Sequence, residues 1–144
     1  MSDHDAVVLT TVTRTLIDSQ KGYRTCSEVV SDDPVLSAEL MSRHYDRVSL
    51  VHVFQTATVA LRGSRRISGS TFGALHRGLT RLTALFRNER FAAGSALDDG
   101  EEYLTEMIES RLEDASLQLK TRDLLQMALV SARGGERLAA RLLA

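Results

Sequence analysis

The residues with which this chain could do chemistry are four histidines and the carboxylates scattered along helical stretches. A di-metal carboxylate centre in a helix bundle takes a Glu from each of two helices and a Glu-x-x-His from each of the other two. The three-residue spacing aims both ligands at one metal pair. The residues three before His44, His52 and His76 are Met41, Ser49 and Gly73, and His4 follows Met1 at that distance. No Glu-x-x-His or Asp-x-x-His occurs, which argues against a standard di-iron site. A reduced set remains: Glu101 between Leu97 and Leu104, His52 among Val48, Val51 and Gln55, and Asp18 midway along the first helical stretch. These three are the candidate ligands for iron or another transition metal. The competing reading is that they hydrogen-bond to other polar side chains or reach solvent at a helix edge, since isolated buried charge is costly.

Nucleophilic chemistry has little support. The single cysteine, Cys26, excludes an intramolecular disulfide and a CxxC or Cys-rich zinc site. It falls on an apolar stripe between Tyr23 and Val30, where a thiol has a raised pKa and is inert. There is no Gly-x-Ser-x-Gly and no phosphate-cradling glycine turn after a strand. Gly69 and Gly73 bracket a loop-to-helix junction and are read as easing a chain reversal.

Charge is sorted along the chain although the net value is only −1. Residues 62–90 hold seven arginines against Glu89, and residues 98–114 hold eight acids against Arg111. Arg65, Arg66, Arg77 and Arg81 could meet an anionic ligand or nucleic acid. The aromatic residues Phe72 and Phe86 fall on an apolar stripe instead of between the charges, which disfavours nucleic acid. Pairing of the basic and acidic blocks, within a chain or between chains, is the favoured reading. It predicts a homo-oligomer, most simply a two-fold dimer.

The elements that must position these groups are helices. Trp is absent, aromatics are 5%, and one proline and nine glycines leave few turns, which disfavours a β-sandwich or barrel. Asp32-Asp33-Pro34 marks a helix start, and Gly63 to Ser70 is the one clear loop. The stretch 4–31 carries Leu9, Val12, Leu16, Ser19, Tyr23, Cys26 and Val30 on one face. The stretch 34–62 places Met41, His44, Tyr45, Val48, Val51, His52, Gln55 and Val59 inward. A short stretch, 71–87, has Phe72, Leu75, Leu79, Leu82 and Phe86. The stretch 89–114 has Leu97, Gly100, Glu101, Leu104, Met107 and Ile108. The stretch 121–143 has Leu125, Ala128, Ala132, Gly135, Ala139 and Leu142, small enough for a neighbouring helix to approach closely.

Four such helices of roughly 35–43 Å pack best side by side. The expected fold is all-α: a ferritin-like antiparallel four-helix bundle, residues 1–144 as one domain, with a short crossover helix in the segment 63–88 between its second and third long helices. Met1 to Asp5 is polar and acidic, unlike a targeting signal, and no apolar run could span a membrane, so a cytoplasmic protein is expected.

The run Ser68-Gly69-Ser70-Thr71-Phe72-Gly73-Ala74-Leu75-His76-Arg77-Gly78 is similar to the signature of the domain-of-unknown-function 2383 family, ferritin-like four-helix-bundle proteins of bacteria. Asp18, Gly22-Tyr23-Arg24-Thr25-Cys26 and Gly100-Glu101-Glu102 agree with it in order. The resemblance implies the fold and no established activity. It also implies a His-Asp pair late in the last helix, where this chain reads Gly135-Glu136, so that histidine is missing. The function expected is a cytoplasmic interaction or structural protein without an intact catalytic site and without a cofactor. The alternatives are a metal-binding protein using Glu101, Asp18 and His52, and, more distantly, an anion or nucleic-acid binder through the arginine block.

Overall fold

The structure, a computed structural model, describes residues 2–62 and 89–144. Among them are four helices and no strand: α1 (Ser2–Val29), α2 (Pro34–Arg62), α3 (Glu89–Leu112) and α4 (Leu119–Leu143). The expected crossover segment 63–88, with its Phe72-to-Phe86 stripe and Arg65, Arg66, Arg77 and Arg81, lies outside the described residues.

Local chemistry sets the helix ends. Asp33 caps α2, its Oδ1 accepting the Leu36 N–H at 3.1 Å, with Pro34 in the first helical position. Ser27 and Ser37 latch the α1–α2 hairpin: each hydroxyl donates to the other residue's carbonyl, at 2.9 and 3.0 Å. Gln118 gives α4 no side-chain cap. Asp5 of α1 does that work instead, its buried carboxylate accepting the Gln118 N–H at 3.0 Å and the Thr121 hydroxyl at 2.6 Å. A carboxylate at that place also meets the positive end of the helix dipole. Arg122 donates to the carbonyls of Leu112 and Asp114, at 2.9 and 2.8 Å, satisfying acceptors at the end of α3.

These contacts also fix the topology. Asp5 joins the start of α1 to the start of α4, and His4 joins it to Asp114 just past α3. Arg141, near the end of α4, pairs with Glu39 near the start of α2. The chain therefore forms two antiparallel hairpins, α1–α2 and α3–α4. The end of α2 and the start of α3 lie at opposite ends of the bundle, an order that needs one long crossover. The two hairpins meet chiefly through α1 and α3, while α2 touches α4 sparsely.

The interior is divided. One apolar cluster gathers Leu9, Val12, Leu16, Phe54, Ile108 and Leu125 with their neighbours. The other gathers Cys26, Leu40, Ala93, Leu97, Leu138 and Leu142. The faces expected for 4–31 and 121–143 are the buried ones. The face expected for 34–62 is only partly so: α2 buries Leu36, Leu40, His44, Arg47, Leu50, Val51, Phe54 and Thr58, so His44 and Val51 are inward as expected, while Tyr45, Val48, His52 and Val59 are exposed. The real stripe runs through an arginine, so a search for apolar periodicity settles on the outer valines.

The turn after α3 carries a pH signature. Hydrogen bonds from the Ser116 hydroxyl, then from His4, hold the Asp114 carboxyl well below the usual carboxylate range. With the folded pKa below the unfolded value of about 3.9, this contribution is complete above that value. It is lost as pH falls toward the folded pKa, because the unfolded chain takes up the proton first. The urea midpoint of the wild type should therefore exceed that of Asp114→Ala near neutral pH, and the gap should narrow below about pH 4. A gap that is constant with pH would show that the carboxylate contributes nothing.

Candidate functional site

Between the two apolar clusters lies a polar layer centred on Arg47. On α2 the sequence Leu40, His44, Arg47, Val51, Phe54 advances by alternating steps of four and three, which points Arg47 into the bundle. Its side chain has no exposure and that of Glu101 on α3 only 2%. The guanidinium forks onto the carboxylate: Nη1 donates to Oε1 at 2.8 Å and Nη2 to Oε2 at 2.5 Å. Nε donates to the Ser131 hydroxyl on α4 at 2.9 Å, and Nη2 also to the Ser131 carbonyl at 3.1 Å. Nη1 also donates to the Ser19 hydroxyl on α1, which itself donates to Glu101 Oε1 at 3.3 Å. All five N–H donors of Arg47 are thus taken up, by residues from the three other helices. Its carbon Cζ sits 5.3 Å from the centre of the Tyr23 ring. Burial alone would lower the Arg47 pKa; the charge and hydrogen bonds of Glu101 outweigh it, and the pKa is raised. Arg47 is charged at every physiological pH.

Two further residues complete the layer. Gly135 on α4 leaves the space into which the Glu101 carboxylate and the Tyr23 hydroxyl project. A Cβ there would lie 2.0 Å from Glu101 Oε2 and 2.4 Å from Tyr23 Oη. Small residues on this stripe were expected to admit a neighbouring helix; at this position they admit a carboxylate and a phenol. The Tyr23 hydroxyl is buried and makes no hydrogen bond among the described residues. Burial, then the Glu101 charge, pushes its pKa well above the usual tyrosine value, so it remains protonated. Glu136, beside Gly135, accepts a hydrogen bond from Thr105 at 2.8 Å.

The structure brings two of the three expected ligands near each other. Asp18 and Glu101 both line a cavity of about 70 Å³ between α1 and α3, with Thr15, Ser19, Gly22 and Gly100. His52 is on the exposed side of α2, beside Lys120 in a different cavity. No group of three or more His, Cys, Asp or Glu that could hold a metal ion occurs among the described residues. Glu101, the deepest of the set, has both oxygens engaged by a cation. A metal ion there would face the guanidinium charge and take away its carboxylate. These residues do not fit a metal centre. Cys26 is buried, and burial pushes its thiol up to about 12, so it supplies no thiolate at neutral pH.

Arg47 is the residue that the sequence reading passed over. Its signal was present in the four-three spacing of its buried neighbours, but a charged side chain counts against a core stripe unless a partner is known.

The model of the family described as Domain of unknown function (DUF2383) matches residues 6–114. That match takes in Ser19, Tyr23, Arg47 and Glu101 and stops before α4, which brings Ser131 and Gly135. No curated protein and no solved structure matches the chain.

Two glycine replacements separate the demands of this layer from helix propensity. Gly100→Ala adds a Cβ that meets open space, so it should stabilise the protein by up to about 1 kcal/mol. Gly135→Ala makes the same chemical change against Glu101 and Tyr23, and should cost about 1–3 kcal/mol. Equal effects in thermal or urea unfolding would mean that the layer tolerates displacement. For the ion pair, Glu101→Ala should cost about 3–5 kcal/mol, because it leaves a buried charge unpaired. Combining Arg47→Met with Glu101→Leu should restore much of that loss. A double variant as unstable as the sum of its single variants would contradict a direct coupling.

Proposed function

The chain belongs to the DUF2383 family, and on that premise we propose that it is a cytoplasmic helical interaction and structural module, homo-oligomeric and without an intact catalytic site. The observation that carries this reading is the closure of the polar layer. Arg47, Glu101, Ser19 and Ser131 satisfy one another, so the two charges of this layer are engaged with each other instead of with a substrate. Of the two other buried acids among the described residues, Asp5 caps α4 and Asp18 lines the cavity between α1 and α3. The order of the helices supports a ferritin-like bundle, since that architecture has two hairpins joined by one crossover. No helix among the described residues is long and apolar enough to cross a membrane.

Charge sorting supports self-association. On α3, Asp99, Glu102, Glu106 and Glu109 are exposed and follow one another by threes and fours, an acidic stripe that Glu113 extends just past the helix end. It can meet the arginine-rich 62–90 segment of its own chain or of another. Exposed ion pairs are individually weak, so such contacts set register more than affinity.

The rival reading, a metal centre, draws on Asp18 and Glu101 sharing one cavity. Elemental analysis of the protein purified without chelator decides between the two. Iron, manganese and zinc are expected far below one per chain. About one metal per chain, lost in both Asp18→Asn and Glu101→Gln, would overturn the non-catalytic reading.

A further inference from the structure

We draw no further inference here: the strongest candidate, the cavity between α1 and α3 that Asp18 and Glu101 line, carries none, because Glu101 belongs to the ion pair already described and nothing among the described residues points to a ligand there.

Discussion

A buried guanidinium is the constraint around which this bundle is arranged. Arg47 has five N–H donors in one rigid plane, and no water is available to any of them in the middle of a core. The fork to Glu101 fixes α2 against α3, Ser131 fixes α4, and Ser19 fixes α1. Sliding any helix by one residue, about 1.5 Å, would break at least one of these bonds. The apolar clusters on either side have no such preference, because leucines and alanines repack with modest loss. Stability comes from the apolar clusters, and uniqueness of register comes from the layer between them.

Other sequence choices follow from that layer. The Glu101 carboxylate needs volume, and Gly135 provides it where a side chain would collide. Arg43 repeats the pattern on the surface side, its guanidinium lying over Gly134 and reaching the Ser131 carbonyl at 3.4 Å. Two adjacent glycines inside a helix are costly in backbone entropy, of order 1 kcal/mol each. Their placement opposite two arginine-bearing contacts explains why α4 carries them at its middle, where propensity would select alanine.

The helices themselves were legible in the sequence because their signals are local. Asp33-Pro34 set the start of α2, and the stripes of α1 and α4 showed the faces that the bundle buries. The inward face of α2 was not legible, and the reason is specific. Its core stripe includes Arg47, while its outer side includes Val48, Val53 and Val59, so hydropathy alone ranks the wrong side higher. Glu101 stood out as a carboxylate on an apolar stripe, but a single sequence does not say whether its partner is a metal, a proton or an arginine. That answer depends on which of α2's two faces turns inward, a question settled only when all four helices are packed together.

The same reversal accounts for the outer face of α2. Had Val48, His52 and Val59 been buried as hydropathy expects, the helix would have turned Arg47 to water, along with Leu40, Val51 and Phe54. Instead the charge that would normally face water is inside, as Arg47, and the residues that would normally be inside face out. With that cation inside, α2 has no charged coat along its second half. The uncharged half-helix is then consistent with the buried ion pair: the cation that secures the four helices is missing from the side of α2 that meets water. Within the layer the charges of Arg47 and Glu101 are engaged with each other, so the pair serves the packing of the four helices against one another.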